Sequence, residues 1–165
     1  MANGKAFDET GLNIRPASNA DAARISELVS RVLAEFGLEF DPGATDSDLA
    51  DIEGEYLDRG GLFEVIDDAD GQILGTYGLW PIDHAAVELR KMYFAKEIRG
   101  RGLGRKLLNR AVTRARELGF SRIYLETAAV LEGAVKLYES FGFLPVDVVH
   151  SKRCDQGYQL DLTME

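Results

Sequence analysis

Apolar residues recur along the chain with two different periods, and the change of period separates helices from strands. After Ser18 and Asp21, which have the spacing of a capping box, they recur three or four positions apart until Gly37. This pattern predicts a first amphipathic helix. The same spacing predicts three further helices: a less regular one over about 49–57, one over about 103–118, and one within 131–143.

Strands are predicted where apolar and polar residues alternate, or where short apolar runs stand between turn residues. The predicted strands are 12–18, 62–67, 72–80, 85–94, 121–127 and 157–164. The turn DADG at 68–71 joins the second and third strands into a hairpin. Antiparallel strands followed by strand–helix units predict a mixed α/β fold. A length of 165 residues suits one domain, so we expect a single domain over 1–165, with residues 1–11 flexible.

Charge and composition disfavour several broad classes of protein. The net charge of −9 argues against general nucleic-acid binding, which depends on neutralising phosphates. No apolar stretch approaches the roughly 20 residues of a membrane span, and residues 1–15 lack the apolar core of a signal peptide. Cys154 is the single cysteine, so no intramolecular disulfide can form. We therefore expect a cytoplasmic protein that binds neither nucleic acid nor membrane.

One basic segment, EIRGRGLGRKLL at 97–108, contrasts with this acidic background. Seven of the 19 lysine and arginine residues lie between Arg90 and Lys106. The glycines at 100, 102 and 104 fit neither the P-loop pattern GxxxxGK[ST] nor the dinucleotide pattern GxGxxG. A solvated helix end is disfavoured, because glycine costs about 0.5–1 kcal/mol in regular structure. We favour an anion-binding loop, in which unpaired N–H groups at a helix N-terminus bind phosphates.

The sequence around this segment resembles the GNAT superfamily of N-acetyltransferases. Residues 99–104, RGRGLG, match its acetyl-CoA signature [RQ]xxGx[GA]. ELRKMYF lies directly upstream and resembles the family's fourth strand, and AVKLYESFGF at 134–143 resembles the segment that ends its cofactor half. The resemblance implies the GNAT fold: a central mixed sheet of about six to seven strands, about four helices, and parallel strands 86–94 and 121–127 that splay apart at the cofactor site. It also implies an acyltransferase that uses acetyl-CoA as co-substrate.

The resemblance further implies roles for individual residues. The pantetheine arm would pair with the backbone of Met92 and Phe94, and the Met92 N–H would polarise the thioester carbonyl. Tyr138 would protonate the departing thiolate or donate a hydrogen bond to its sulfur. Many relatives have an asparagine where this chain has Leu131, which leaves only a backbone contact. The implied cofactor-binding residues are Met92, Tyr93, Phe94, Arg99, Gly100, Arg101, Gly102, Leu103, Gly104, Arg105 and Leu131.

Glu88 is the candidate general base, because it precedes Met92 by four residues, where some family branches carry their base. An alkylamine with a pKa near 10.4 is neutral only about once in 2500 molecules at pH 7, a penalty of about 4.6 kcal/mol. A carboxylate, directly or through water, would help to remove the proton. The local pattern alone also fits a Glu88 that is solvated or ion-paired, with Arg90 as its partner, and a Tyr138 that belongs to an apolar helix face.

The acceptor is the least determined part of the function. Family members bind it with the segments that correspond here to about 35–58 and 80–84. The acidic residues there either attract a cationic amine or serve solubility, and we expect acetyl transfer to a primary amine of a small molecule, amino-acid-like or polyamine-like. The alternatives are a protein N-terminal or lysine acetyltransferase and a non-catalytic acyl-CoA-binding module. Homodimers are common in the family and are a further expectation, and two histidines without ligand-like spacing predict no metal site.

Overall fold

A seven-stranded mixed sheet with three α-helices forms the part of the chain that the structure, a computed structural model, describes: residues 11–163. The strands are β1 (Asn13–Pro16), β2 (Leu62–Asp67), β3 (Ile73–Pro81), β4 (Ala86–Phe94), β5 (Arg122–Thr127), β6 (Leu144–Val146) and β7 (Gln156–Asp161). The helices are α1 (Ala22–Glu35), α2 (Leu103–Glu117) and α3 (Glu132–Phe141). The strand order is β1-β2-β3-β4-β5-β7-β6, and β4 and β5 are parallel. The predicted mixed α/β class is confirmed.

The predicted elements agree with the structure within a few residues, except in two places. The helix expected over 49–57 is a 3₁₀ turn, Ser47–Ala50, followed by a π-helical turn, Glu53–Leu57. The Asp51 carboxylate accepts the Gly54 N–H at 3.0 Å, a side-chain bond that competes with α-helical pairing. The second difference is β6, whose three residues are mostly exposed and include a proline, so no strand pattern marks it. The expected flexibility of 1–11 concerns positions that, apart from the last, lie outside the described residues.

The helices α1 and α2 pack on the central strands β3 and β4 and supply much of the core. The buried residues of α1 are Ile25, Leu28, Val29, Val32 and Leu33, and those of α2 are Leu103, Leu107, Leu108, Ala111, Val112 and Ala115. Both sets recur at three or four positions, which is why periodicity located them. Each large side chain that is fully buried contributes roughly 1.5–3 kcal/mol, so these two faces hold the helices firmly on the sheet.

A buried ion pair also ties α2 to the sheet. Glu64 on β2 is 3% exposed and receives the Arg110 guanidinium at 2.8 Å (Nε to Oε1) and 2.9 Å (Nη2 to Oε2). The Tyr77 hydroxyl donates to the same carboxylate. Burial opposes ionisation of Glu64, but the Arg110 and Tyr77 bonds outweigh it and lower its pKa. The pair therefore fixes the helix whose N-terminus receives the glycine segment.

The parallel strands β4 and β5 separate after three residue pairs. Their register is Ala86↔Arg122, Val87↔Ile123 and Glu88↔Tyr124. Beyond it β5 continues to pair with β7, and within residues 11–163 no strand covers the β5-facing edge of residues 89–94. The predicted splay is confirmed. It leaves backbone groups of β4 available to a ligand.

A β-bulge lies in this uncovered part of β4. The register on β3 moves by two residues, from Gly78 to Thr76, while β4 moves by three, from Arg90 to Tyr93, so β4 contains one extra residue. Lys91 within the bulge has a φ of 56°, the one positive φ of a non-glycine residue among those described. Thr76 Oγ1 donates to the Lys91 carbonyl at 2.7 Å. The strand thus changes direction immediately before the residues predicted to bind the pantetheine arm.

Candidate active site

A cleft of about 1370 Å³ opens where β4 and β5 separate. All but one of the site residues predicted from the sequence line it. They are Glu88, Met92, Tyr93, Phe94, Arg99, Gly100, Gly102, Leu103, Gly104, Arg105, Leu131 and Tyr138. The exception is Arg101, an exposed side chain whose Nη2 donates to the Glu97 carbonyl at 3.3 Å. The structure therefore brings the predicted catalytic residues and nearly all predicted cofactor residues to one cavity.

The glycine segment leads into α2 at one end of this cleft. Gly100 and Gly102 have φ angles of 81° and 73°, a region that costs other residues roughly 1–2 kcal/mol. Gly102 is the N-cap of α2, and no side chain caps it in the described structure. The first N–H groups of the helix lack intrahelical acceptors, and they belong to residues that line the cleft. An anion such as a pyrophosphate suits this position.

Gly104 allows a close approach of three elements. A Cβ atom at this position would lie 3.2 Å from Leu137 Cδ2 on α3 and 3.8 Å from Phe94 Cε2 on β4. The shorter distance is tighter than ordinary carbon–carbon contact. A Cβ here would require the Leu137 side chain to move by a few tenths of an ångström, so the third glycine of the segment permits close packing of α2 against α3.

Two basic residues of the segment are held in place by other parts of the chain. Arg99 Nε donates to the Phe94 carbonyl at 2.9 Å, and Arg99 Nη2 pairs with Glu35 Oε2 at 2.7 Å. Arg99 therefore ties the segment to the ends of β4 and α1. Arg105 Nη1 donates to Ser140 Oγ at 3.3 Å. Both guanidinium groups add positive charge beside the N-terminus of α2, where the helix dipole already favours an anion.

Tyr138 lies on α3 with 6% of its surface exposed, and it lines the cleft. Its ring packs against Phe143 and Tyr158, at centroid distances of 5.7 and 6.5 Å. Burial raises the pKa of the Tyr138 hydroxyl, and Tyr93 and Cys154 act in the same direction. The hydroxyl is therefore protonated at neutral pH and able to donate to a group in the cleft.

Leu131 occupies the N-cap position of α3 and also lines the cleft. Its N–H donates to the Ala128 carbonyl at 2.9 Å, and its carbonyl accepts the Val135 N–H at 3.1 Å. Because both backbone groups are already used, Leu131 offers a ligand mainly its apolar side chain.

Glu88 lies on β4 between Trp80 of β3 and Tyr124 of β5 in the register of the sheet. Arg90 Nε donates to Glu88 Oε1 at 2.8 Å, so the ion pair that the sequence left open is present. Burial raises the pKa of Glu88; Arg90 opposes this effect, and the nearby Glu126 carboxylate adds to it. A carboxylate with a raised pKa is a stronger proton acceptor than an exposed one.

Comparison with known families decides what this cleft belongs to. The Acetyltransferase (GNAT) family model matches residues 29–143, a span that contains β4, the glycine segment and Tyr138. The chain belongs to the GNAT family. Uncharacterized N-acetyltransferase YjgM of Escherichia coli (strain K12) is 39% identical over 132 residues, covering 77% of this chain and 78% of that protein. The predicted acyltransferase class is confirmed.

Solved structures show the same fold. A GNAT-family acetyltransferase from Staphylococcus aureus Mu50 has a TM-score of 0.85 at 26% identity, covering 92% of this chain and 99% of that one. Spermidine N-acetyltransferase from Vibrio cholerae, solved with CoA and spermine, has a TM-score of 0.69 at 23% identity, covering 94% and 98%. Both matches span more than nine tenths of this chain, so its overall fold is that of the GNAT structures.

The GNAT acetyltransferase also has a buried ion cluster that sequence analysis did not find. Lys91 Nζ lies 3.0 Å from Asp46 Oδ1 and 3.2 Å from Asp48 Oδ1. Arg153 donates two bonds to Asp46, at 2.6 and 2.9 Å, and the Tyr56 hydroxyl donates to Asp48. Burial opposes ionisation of Asp46, but Arg153 and Lys91 outweigh it and lower the pKa of Asp46. We refer to these five residues as the Lys91 cluster.

Two guanidinium groups lie against the indole of Trp80, which lines the cleft. Arg59 Cζ and Arg90 Cζ lie 4.1 and 4.0 Å from its ring centroid. Both guanidinium groups therefore lie within cation–π distance of the indole. Trp80 Nε1 donates to Glu55 Oε2 at 3.4 Å. Contacts of this kind limit the rotation of the guanidinium groups and of the indole.

Of the Lys91 cluster and the Trp80 contacts, only the cluster is indicated by a pattern in the sequence. Lys91 alternates with Val87 and Leu89 on the apolar side of β4, and a charged residue on that side indicates a buried partner. No spacing pattern indicates Trp80, because its partners come from separate elements. Between residues 11 and 163, no three His, Cys, Asp or Glu side chains are grouped so as to hold a metal ion. In the same range, no helix combines the length and apolar character needed to cross a membrane.

Proposed function

We propose that this GNAT acetyltransferase moves the acetyl group of acetyl-CoA directly to a primary amine of a small molecule, amino-acid-like or polyamine-like. The observation that carries the proposal is that Glu88 and Tyr138 line the same cleft as the uncovered edge of β4. A proton acceptor, a proton donor and a backbone edge suited to an extended ligand then share one cavity. Membership of the GNAT family supports acetyl-CoA as the acetyl donor.

The cofactor end of the cleft fits acetyl-CoA. The N-terminus of α2, with Gly102 as its N-cap and Arg99 beside it, would hold the pyrophosphate. The pantetheine arm would lie along residues 89–94. The Met92 N–H is the backbone group we assign to the thioester carbonyl, because it lies on this part of β4 and an N–H donor is what a polarised carbonyl requires. Bound acetyl-CoA supplies an activated acyl group.

Glu88 would accept the proton of the attacking amine. Its Oε1 is occupied by Arg90 Nε, so Oε2 is the oxygen available for this transfer, directly or through one water. The raised pKa of Glu88 reduces the difference in proton affinity between the carboxylate and an alkylammonium. Proton transfer to Glu88 thereby offsets part of the roughly 4.6 kcal/mol that deprotonation of the amine costs at pH 7.

Tyr138 would donate to the thiolate that departs when the acyl carbon–sulfur bond breaks. Its hydroxyl keeps its proton because burial raises its pKa. A buried donor of this kind stabilises negative charge that develops in the transition state. After the reaction the released CoA thiol and the acetylated amine leave the cleft.

The test uses the full chain, a thiol-release assay over a panel of primary amines, and calorimetric titration with acetyl-CoA. Tyr138→Phe should lower turnover about 10²–10⁴-fold and leave acetyl-CoA affinity unchanged. Tyr158→Phe is the matched control, because Tyr158 packs on Tyr138 without lining the cleft. Wild-type turnover should rise as pH passes through the raised pKa of Glu88, because only the ionised carboxylate accepts a proton. Glu88→Gln should lower turnover, and this rise with pH should be absent. Full turnover in either site variant would contradict its assigned role.

Three broader expectations from the sequence stay as proposals: a single domain over 1–165, a cytoplasmic location and a homodimer. Light scattering of the purified chain tests the oligomeric state. Protein acceptors are tested in the same thiol-release assay with lysine-containing and N-terminal peptides.

A further inference from the structure

We propose that the acceptor of this enzyme carries a carboxylate as well as its amine, and that the terminal nitrogens of Arg90 bind that carboxylate. This rests on the proposed acetyl transfer to a small amine and narrows it to amino-acid-like acceptors. Arg90 is then a specificity-determining residue. It follows the proposed base Glu88 by two residues on β4. The polyamine-like acceptors that the sequence also allowed are disfavoured.

The first support is the bonding of Arg90. A guanidinium offers five N–H donors, and here only Nε is used, in the 2.8 Å bond to Glu88 Oε1. Nη1 and Nη2 form no hydrogen bond to any residue between 11 and 163, although the side chain is mostly buried and lines the cleft. Two parallel N–H groups in this state match the two oxygens of a carboxylate.

The second support is that the Arg90 fork is held in place. Trp80 stacks on the guanidinium at 4.0 Å, and Glu88 fixes its Nε edge. A fork that is already ordered loses little side-chain entropy when it binds a planar anion.

The third support is the charge balance of the cleft. Each carboxylate that lines it already has a partner within the protein. The partners are Lys91 and Tyr56 for Asp48, Trp80 and Arg59 for Glu55, backbone N–H groups for Asp83, Arg90 for Glu88, and Tyr124 with residues 150 and 151 for Glu126. A polyamine needs several carboxylates that lack such partners.

Some basic side chains that line the cleft have no carboxylate partner among the described residues. Arg122 and Lys152 line the cleft, and in the described chain neither forms a salt bridge. Together with the Arg90 fork they make this end of the cleft more favourable for an anion than for a second cation. Asp46 and Asp48, two of the acidic residues that suggested a cationic acceptor in the sequence, are paired with Lys91 in the fold.

The fourth support is the pairing of Glu88 with Arg90. An α-amino acid presents its ammonium and carboxylate on neighbouring atoms, and the enzyme presents a carboxylate and a guanidinium on residues i and i+2 of β4. The bond between the two side chains uses Arg90 Nε and Glu88 Oε1, so Glu88 Oε2 and the terminal nitrogens of Arg90 remain available to an acceptor. The same side-chain pair can therefore receive both charged groups of one acceptor.

The experiment measures kcat/KM by thiol release at saturating acetyl-CoA for the standard L-amino acids that have a primary amine and no thiol, their α-carboxamides, and the polyamines putrescine and spermidine. For wild type we expect the acid to exceed its own carboxamide by about ten- to hundredfold, the range of a charge-assisted bidentate contact. Arg90→Gln should bring this ratio close to one, and Arg90→Lys should restore part of it. The ratio within one variant does not depend on how much of the protein is folded, nor on any change in Glu88.

Arg59→Gln is the matched control, because Arg59 stacks on the same indole without lining the cleft. It should keep the wild-type preference for acids. Equal rates for acids, carboxamides and polyamines would overturn this inference and leave the proposed transfer to amines intact. No turnover with any of these amines, despite acetyl-CoA binding, would overturn the proposed function and this inference with it.

Discussion

Replacement of Lys91 by methionine, which keeps the length of the side chain and removes its charge, should destabilise the protein by about 3–5 kcal/mol. The ammonium lies 3.0 and 3.2 Å from the buried carboxylates of Asp46 and Asp48. At an effective dielectric constant of about 20, each contact supplies roughly 5 kcal/mol of attraction, offset by several kcal/mol for the ammonium's lost hydration. In the variant both carboxylates stay buried with one cation fewer, and a buried charge without its partner destabilises the folded protein.

Urea unfolding at pH 7, followed by Trp80 fluorescence, measures this loss. With a slope of about 2 kcal/mol per molar urea, the midpoint should fall by about 2 M. The pKa of Asp46 is lowered in the folded protein, so its stabilisation is present above its usual value of 3.8 and is lost as pH falls through the folded pKa. The gap between wild type and variant should therefore narrow in acid. A loss below about 1 kcal/mol at pH 7 would refute the reasoning, because exposed pairs already give that much.

Two shorter variants separate the charge of Lys91 from its backbone. Alanine and glycine both remove the ammonium, but only glycine adopts a φ of 56° without strain. Lys91→Gly should therefore be more stable than Lys91→Ala by about 1 kcal/mol, the lower end of the left-handed penalty. If alanine is the more stable of the two, the bulge stores no strain at this position.

Two further predictions concern α2. Arg110→Ala leaves Glu64 buried without its main partner and should lower the free energy of unfolding in urea by about 2–4 kcal/mol. Because the pKa of Glu64 is lowered in the folded protein, the full loss should appear above its usual pKa of 4.5, and the loss should shrink as pH falls. A constant cost down to pH 3 would contradict the assignment. Gly102→Ala should lose about 1 kcal/mol of stability and weaken acetyl-CoA binding, whereas Gly119→Ala, with a φ of 93° at the far end of the helix, should lose similar stability and bind acetyl-CoA normally. Equal acetyl-CoA affinity in the two glycine variants, measured by calorimetry, would exclude the anion role of the segment.

The fold was predictable wherever one element decides its own structure. The helices α1 and α2 repeat their buried residues at helical spacing, and β4 alternates. The segment 49–57 was harder, because the Asp51 side chain bonds to the backbone of Gly54 and replaces part of the helical ladder. The edge strand β6 carries no pattern at all, since its pairing with β7 specifies it.

The candidate site divides in the same way. Glu88, Tyr138 and the glycine segment belong to local motifs that the family resemblance located. The Lys91 cluster does not, because Arg153 and Asp46 are 107 residues apart and meet only when the sheet is complete. The acidic loop was noticed as unusual, but its sequence could not show that Asp46 and Asp48 are buried beside Lys91, with Arg153 also bonded to Asp46.

The uncovered edge of β4 explains why a buried ion cluster stands next to the reactive residues. Past Glu88 this strand lacks the ladder to β5 that would otherwise hold its backbone, and a bulge bends it further. Lys91 replaces the missing restraint, because its ammonium is fixed by two carboxylates while its carbonyl accepts Thr76 Oγ1. Ionic groups of this kind are weak sources of net stability but effective in selecting one conformation. We therefore expect Lys91→Met to lose more turnover than its folded fraction explains, through Met92, the next residue along the strand.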